Sequence, residues 1–151
     1  MGVEKKALEQ VAETSFEHRI KPKIYPGTAR LIREAKERGE KVIFATTSFH
    51  IVIRPLERFF GIEGSLACDL EFDNGKATGR LVGESLFGSK KKTSVQAWLD
   101  RNGFRREDVC FYSDSYVDIP LLEFCGKPVA VNPDRVLARK AKKHGWEILR
   151  F

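Results

Sequence analysis

Residues 111–134 read FYSDSYVDIPLLEFCGKPVAVNPD, and this stretch decides the fold of the chain. Periodicity and residue type predict a strand over 109–112, a short helix over 116–124 and a second strand over 128–131. Strands that alternate with helices are typical of a parallel sheet. Ligands bind at the carboxyl ends of the strands in such sheets, so a site is expected in the residues that follow each strand.

The same alternation extends from this stretch toward both ends of the chain. Hydrophobic periodicity predicts helices over 3–19, 29–38, 51–60 and 90–101, a strand over 42–45, and a basic helix over 135–143 before a last strand over 146–149. Residues 66–82 alternate instead and contain Asp73-Asn74-Gly75, a strong hairpin signal. The predicted fold class is therefore α/β, a three-layer domain with a mostly parallel sheet and a small β-hairpin.

The composition fits an ordinary globular domain. The 151 residues are 42% hydrophobic and 32% charged, which excludes disordered, collagen-like and disulfide-scaffold proteins. The sequence has neither an apolar run of the roughly 20 residues that span a bilayer nor a signal peptide, so a cytoplasmic location without membrane contact is expected. The three cysteines lie among apolar neighbours and are expected to be reduced thiols.

The net charge of +6 comes from 27 basic and 21 acidic side chains. Most of the basic residues are scattered, and the basic tail is interpreted as a solvated helix with Val136 and Leu137 on one side. No basic stretch is interleaved with aromatic residues, so a specific nucleic-acid partner is not expected.

Two clusters suit an anion such as phosphate. Thr46-Thr47-Ser48 follows the strand predicted over 42–45, where hydroxyls and backbone amides at a helix start can bind phosphate. Plain N-capping by Ser48 is the alternative. Lys90-Lys91-Lys92 stands at the start of a predicted helix, where cations oppose the helix dipole. Either one of these lysines is directed at a phosphate and a carboxylate, or all three form a solvated, basic start of the helix.

Two acidic residues follow the strand predicted over 109–112. Asp114 comes just past that strand, and Asp118 projects from the same side of the next helical turn. Two carboxylates at this position form a hard oxygen site of the kind that Mg²⁺ prefers. The alternative is an N-cap aspartate with a first-turn acid that interacts with the helix dipole.

Taken in order, these clusters resemble the second, third and fourth motifs of the haloacid dehalogenase superfamily of phosphohydrolases, in particular the subfamily that contains phosphoserine phosphatase. The resemblance extends from Tyr25 to Phe151. The segments that carry it are YPGTARLIREAKERGEKVIFATTS (25–48), LEFDNGKATGRLVG (70–83), FGSKKKTSVQAWL (87–99), FYSDSYVDIPLLEFCGKPVAVNPD (111–134) and HGWEILRF (144–151). A flavodoxin-like or receiver-like domain also has acids at strand ends but lacks the hairpin and VAVNPD.

The resemblance implies a role for each matching residue. The second-motif hydroxyl that binds the transferring phosphoryl group corresponds to Thr46, and the lysine that neutralises phosphate and nucleophile corresponds best to Lys91. Asp114 is implied as a Mg²⁺ ligand, and Asp118 as the acid that holds a ligand water or the lysine. The resemblance thus implies three catalytic residues, Lys91, Thr46 and Asp118, and phosphate binding by Thr46, Thr47 and Lys91. It implies metal binding by Asp114 and Asp118, and a place in the pocket for Ser115 and Asn132. Lys90 and Lys92 are the competitors of Lys91.

One family motif is absent from this sequence. The family's nucleophile belongs to Asp-x-Asp-x-Thr on the first, central strand, and the chain has no such motif. The central strand is therefore expected to be missing, with residues 1–24 a remnant of a helical cap and linker and 25–151 the core domain.

Three hypotheses remain from the sequence. The first is a truncated, Mg²⁺-dependent phosphomonoester hydrolase that acts through an aspartyl-phosphate on a nucleophile outside this chain, so that this chain alone is inactive. Its partner would be a small phosphorylated metabolite. The second is an inactive module that binds phosphate and Mg²⁺. The third is an assembly protein, a homo-oligomer or strand-swapped dimer, in which a second chain supplies the missing strand.

Overall fold

The computed structural model describes residues 2–62, 64–83 and 85–151. The chain divides into two compact units, Met1–Leu86 and Phe87–Phe151. Each unit combines helices with its own three-stranded sheet, so the mixed α/β class is confirmed. The predicted division into a cap remnant over 1–24 and a core over 25–151 stays a prediction.

The helices and strands follow the predicted alternation. In the first unit they are α1 Lys5–Ser15, α2 Pro26–Glu37, β1 Phe44–Phe49, α3 His50–Phe60, β2 Ser65–Asp73 and β3 Lys76–Val82. In the second unit they are α4 Ser89–Asn102, β4 Cys110–Ser113, α5 Ile119–Leu122, β5 Lys127–Val131, α6 Arg135–His144 and β6 Glu147–Leu149. A π-helical turn, Phe16–Ile20, continues α1, and a 3-10 turn, Tyr116–Asp118, precedes α5.

The sheet of the first unit has the order β1-β2-β3. β1 is parallel to β2, whereas β2 and β3 form the predicted antiparallel hairpin. Asn74 and Gly75 turn this hairpin with φ values of 47° and 79°. Two consecutive positive φ values are what a tight two-residue hairpin requires, and Asn-Gly adopts them at little cost. The Asp73-Asn74-Gly75 prediction is therefore confirmed.

β1 ends later than the sequence predicts. The predicted strand stops at residue 45, but β1 continues through the hydroxyl cluster to Phe49. Its pairing with β2 moves from Ala45↔Leu66 to Phe49↔Cys68, so β1 carries extra residues between these pairs. The hydroxyl cluster thus lies in an irregular part of the strand, and such bulges turn side chains away from the regular pleat. Threonine and phenylalanine favour extended backbone, which explains the longer strand.

The sheet of the second unit is fully parallel, with the order β4-β5-β6. Its core is a cluster of fully buried residues on α5, β5 and α6, against which partly buried aromatic and aliphatic side chains pack. The fully buried residues are Leu122, Ala130, Leu137 and Ala141. Burying this apolar surface fixes both helices on the sheet.

Each sheet has an open edge. Within the residues that the structure describes, β1 pairs with β2 alone and β4 pairs with β5 alone. An unpaired edge presents a row of free backbone N–H and C=O groups that can accept another strand. The missing central strand itself stays a prediction. In the described part of the chain, no helix has the length and apolar character needed to cross a membrane.

Candidate functional site

A buried ion pair lies at the centre of the second unit's polar cluster. Lys91, in the first turn of α4, donates from Nζ to Oδ1 of Asp118 at 2.6 Å. The two side chains are only 10% and 11% exposed. Lys90 and Lys92 are exposed, and the Nζ of Lys92 lies 5.3 Å from the centre of the Phe124 ring. Of the three lysines, Lys91 is therefore the one directed at this carboxylate.

The second oxygen of Asp118 is also held. Ser113, the buried last residue of β4, donates from Oγ to Oδ2 of Asp118 at 2.7 Å. The same Oγ accepts the backbone N–H of Ser115 at 3.2 Å. Asp118 thus accepts a hydrogen bond from a cation on one oxygen and from a hydroxyl on the other, so both carboxylate oxygens are held in place. Its geometry fits an acid that holds the lysine, one of the two roles that the resemblance implies.

Asp114 lies in a different environment from Asp118. It follows β4 directly and is exposed, and its backbone carbonyl accepts the N–H of Asp134 at 2.9 Å. An accessible carboxylate at the end of a parallel strand fits a hard cation such as Mg²⁺, which keeps several ligands from water or substrate. No group of three histidine, cysteine or acidic side chains that could enclose a metal occurs among the residues that the structure describes. The described residues therefore fit only part of a magnesium coordination sphere.

Asp134, which is not among the predicted site residues, braces the loop that carries Asp114. Its Oδ1 accepts the backbone N–H groups of Val136 and Leu137, both at 2.8 Å, and so caps α6. Its Oδ2 accepts the N–H of Tyr116 at 2.6 Å. An aspartate directly before a helical pattern is an N-cap signal that could have been found. The cross-loop bond to Tyr116 could not, because it joins residues that only the fold brings together.

We expect Asp134→Ala to lower the free energy of unfolding by about 1–2 kcal/mol at neutral pH, since it removes an N-cap. Desolvation opposes the ionised form, but the N–H groups of Leu137, Tyr116 and Val136 outweigh it and lower the pKa of Asp134. This stabilisation is present above the ordinary aspartate pKa of about 3.9 and is lost as the pH falls through the lower folded value. Urea unfolding at pH 7 and at acidic pH measures both effects.

The control for that experiment is Asp134→Asn, because asparagine is also a good N-cap but cannot ionise. Its single carbonyl oxygen can keep the cap bonds from Val136 and Leu137 but not also the bond from Tyr116, so it should keep part of the stability at pH 7 and lose this acid dependence. Equal stability of the alanine variant and the original protein at pH 7 would show that the cap contributes nothing.

Asn132 is tied to the end of the chain. Its backbone N–H donates to the carbonyl of Leu149 and its Oδ1 accepts the N–H of Phe151, each at 2.9 Å. Its φ of 42° is in the left-handed region, which asparagine tolerates better than most residues. Its buried Nδ2 has no hydrogen-bond partner in the described part of the structure. Asn132 therefore shapes the loop between β5 and α6, and its predicted place in a pocket stays a prediction.

The hydroxyl cluster belongs to the first unit. Thr46 is half-buried and its Oγ1 accepts the backbone N–H of Ser48 at 3.1 Å, whereas Thr47 is exposed. Phe49, not Ser48, is the N-cap residue of α3, so the capping interpretation of Ser48 is wrong. Among the described residues no side chain caps the first amides of α3. The structure thus places Thr46 and Thr47 in one unit and the predicted lysine, acids, Ser115 and Asn132 in the other.

The second unit thus combines a parallel α/β sheet with a buried lysine–carboxylate pair at the end of β4. The family model described as haloacid dehalogenase-like hydrolase matches residues 2–123, and the chain belongs to this family. The predicted resemblance is therefore confirmed.

Similar proteins include named phosphatases. A Mycobacterium tuberculosis protein named phosphoserine phosphatase SerB1 is 35% identical over 95% of this chain and 47% of its own length. A Neisseria meningitidis histidinol-phosphatase is 33% identical over 87% of this chain and 61% of its own length. The chain thus spans about half the length of the curated relatives it matches.

Solved structures show the same fold. A Bordetella pertussis protein of unknown function superposes with a TM-score of 0.90 at 30% identity, over 97% of this chain and 67% of that one. A probable phosphoserine phosphatase from Vibrio cholerae superposes with a TM-score of 0.78 at 21% identity, over 99% of this chain and 43% of that one. At 21% identity, the similarity to the Vibrio cholerae protein shows the fold alone.

Proposed function

We propose that this chain is the phosphate-handling part of a Mg²⁺-dependent phosphomonoester hydrolase of the phosphoserine phosphatase type. The observation that carries the proposal is the buried pair of Lys91 and Asp118, with Nζ and Oδ1 2.6 Å apart. Burying two charges is expensive, and a hydrophobic pair of the same volume is often as stable. A lysine held in this way at the end of a parallel strand is suited to a phosphate and to the carboxylate that attacks it.

In the proposed reaction an aspartate attacks the phosphorus of the substrate, the alcohol leaves, and water then hydrolyses the aspartyl-phosphate. Lys91 offsets the negative charge on the phosphoryl oxygens, while Asp118 keeps its ammonium in place. The hydroxyl of Thr46 binds the transferring group, with Thr47 beside it. Asp114 is the residue here that would hold Mg²⁺, which when bound supplies charge neutralisation at the phosphate.

The attacking aspartate is proposed to lie outside this chain, on a further strand. Two observations support this part of the proposal. β1 and β4 each have an open edge in the described structure, and the chain spans about half the length of its relatives. The substrate is proposed to be a small phosphorylated metabolite, in keeping with the names of the relatives. We also place the protein in the cytoplasm, where the three free cysteines would stay reduced.

A complementation assay tests the function. This chain is expected to hydrolyse p-nitrophenyl phosphate only when it is co-expressed with an N-terminal segment that carries Asp-x-Asp-x-Thr, such as that region of its phosphatase relatives, and only with Mg²⁺. Lys91→Ala in the complemented enzyme should lower kcat by about 10²–10³-fold, the cost of removing one preorganised charge stabiliser. Lys92→Ala, which changes an exposed neighbour, is the matched control.

The other outcomes separate the alternatives. Phosphate and Mg²⁺ binding without turnover in the complemented protein would favour the inactive module. A dimer of this chain alone by light scattering, without turnover, would favour a second copy as the donor of the strand. Turnover by this chain alone would contradict a nucleophile outside the chain. Absence of both turnover and phosphate binding would reject the proposal.

A further inference from the structure

His50 is held by hydrogen bonds at both ring nitrogens. It is the first residue of α3, and its Nδ1 lies 2.7 Å from Oδ1 of Asp69 while its Nε2 lies 3.1 Å from the carbonyl oxygen of Ser65. Both partners belong to β2, where Ser65 contributes its backbone carbonyl and Asp69 its side chain. The ring therefore fastens the beginning of α3 to β2 at two points.

Both partners of the ring are acceptors, and this decides its charge. A carbonyl oxygen and an ionised carboxylate can only accept, whereas a neutral imidazole has one N–H and one lone pair. A neutral ring would turn a lone pair toward one of the two oxygens and lose that bond. The observed contacts are both made only when His50 is an imidazolium that donates from each nitrogen.

The residue lies directly after the hydroxyl cluster. Thr46–Ser48 occupy the irregular part of β1, between the pairs Ala45↔Leu66 and Phe49↔Cys68. The next residues of the chain are Phe49, the N-cap of α3, and His50 itself. Ser65, the residue whose carbonyl accepts from His50, also donates from Oγ to Glu57 of α3 at 2.5 Å. The bond to Glu57 attaches the second half of α3 to β2, and the two bonds of His50 attach its first turn there.

We propose that His50 is a positioning residue that couples protonation to the shape of the Thr46–Ser48 segment. Charged, it holds the first turn of α3 on β2 and fixes the hydroxyls in place; neutral, it releases that turn. The inference rests on the proposed function for one consequence, that phosphate binding at Thr46 is tighter when His50 is charged.

The electrostatic surroundings favour the charged ring. Partial burial by itself lowers the pKa of His50, but the hydrogen bond to the carbonyl of Ser65 and the hydrogen bond and charge of Asp69 outweigh it, and Glu57 adds a further attraction. The pKa is therefore raised above the ordinary histidine value of about 6.5. The stabilisation is complete below that ordinary value and is lost as the pH rises through the higher folded pKa.

Asp69→Asn separates the position of His50 from its charge. The asparagine amide can donate to the lone pair of neutral Nδ1 while Nε2–H still donates to Ser65, so the ring stays fastened without a proton. NMR titration should show the backbone amides of 46–49 shifting together with the His50 ring in the original protein. In Asp69→Asn those amides should become independent of pH, and the His50 pKa should fall. His18→Gln, an exposed histidine of the same unit, is the control and should leave the titration unchanged.

Binding of inorganic phosphate is measured on the same proteins at pH 5.5 and 8.5. Because phosphate ionises in this range as well, the quantity compared is the ratio of Kd values for the original protein and Asp69→Asn. We expect this ratio to rise about fivefold from the lower to the higher pH, at the low end of couplings between sites. His50→Gln, whose side chain can donate only one of the two hydrogen bonds, should bind phosphate weakly at both pH values.

The results distinguish this inference from the proposed function. If the 46–49 amides do not follow the His50 titration, or follow it equally in Asp69→Asn, the positioning role is rejected even where phosphate binds. If they do follow it but phosphate binds at neither pH, the positioning role stands and the phosphate role of Thr46 fails.

Discussion

Replacing Lys91 by alanine is expected to lower the free energy of unfolding of the second unit by about 3–5 kcal/mol, because it leaves the buried carboxylate of Asp118 without its cation. Ser113 still donates to Oδ2, which moderates but does not remove this cost. Urea unfolding followed by circular dichroism measures the loss, with the midpoint and slope fitted separately.

Two further variants make the Lys91 result decisive. Lys92→Ala removes an exposed lysine from the same helical turn and should change stability by less than about 1 kcal/mol, the scale of its contact with the Phe124 ring. The double variant Lys91→Met/Asp118→Leu replaces the pair by apolar side chains. It should recover most of the free energy of unfolding lost in Lys91→Ala, because well-packed apolar side chains can often replace a buried ion pair without loss of stability. Equal losses for Lys91→Ala and Lys92→Ala would reject the buried pair as the cause.

This comparison also separates stability from function. If the double variant folds as well as the original protein, the ion pair is not needed for the fold, and its presence is explained by what Lys91 does for a substrate. The complemented double variant should then be stable and inactive. Loss of both stability and activity in the double variant would instead indicate that the pair is structural.

The elements that the sequence predicted correctly depend on local chemistry. Asp73-Asn74-Gly75 predicts its hairpin because the positive φ angles of the turn are a property of those residues themselves. The helix 51–60 was placed within one residue because Gly61 ends it in the left-handed conformation. The parallel sheet of the second unit follows from the strand, helix and strand of 109–131, which each show their period in the sequence.

The errors and omissions depend on contacts between distant residues. The end of β1 was placed at residue 45 because the hydroxyl cluster resembles a loop, and its pairing with β2 is not visible in its own residues. Ser113 received no role from the sequence, yet its Oγ holds Asp118. The contact of His50 with Asp69 is likewise invisible in the sequence, because Asp69 is on another strand. Hydrogen bonds of this kind become predictable only when the register of the strands is known.

Val136 and Leu137 show that the buried side of a helix is also difficult to predict from the sequence. Because they are adjacent and apolar, the sequence predicts both on one side of α6. In the structure Leu137 is fully buried, whereas Val136 is 44% exposed. Adjacent residues on an α-helix point about 100° apart, so only one of them can face the centre of the core.

Leu137→Ala is therefore expected to lower the free energy of unfolding by about 2–5 kcal/mol, and Val136→Ala by less than about 1 kcal/mol. The first removes apolar atoms from the cluster of Leu122, Ala130 and Ala141 and leaves a cavity, whereas the second changes a side chain that water already reaches. Both substitutions raise intrinsic helix propensity, so propensity cannot explain a loss in Leu137→Ala. The pair is compared by urea unfolding at neutral pH.

The effect of Leu137→Ala should extend from the core to the site. α6 is joined to the loop of Asp114 through Asp134, whose side chain accepts from Tyr116 and whose N–H donates to the Asp114 carbonyl. Loosening α6 should therefore speed hydrogen exchange at the amides of Tyr116 and Asp134 more than at those of α4. Equal acceleration in α4 would mean that the second unit opens only as a whole. Acceleration confined to α6 and the two loops would show that the core cluster holds the acidic strand end in place through this one helix.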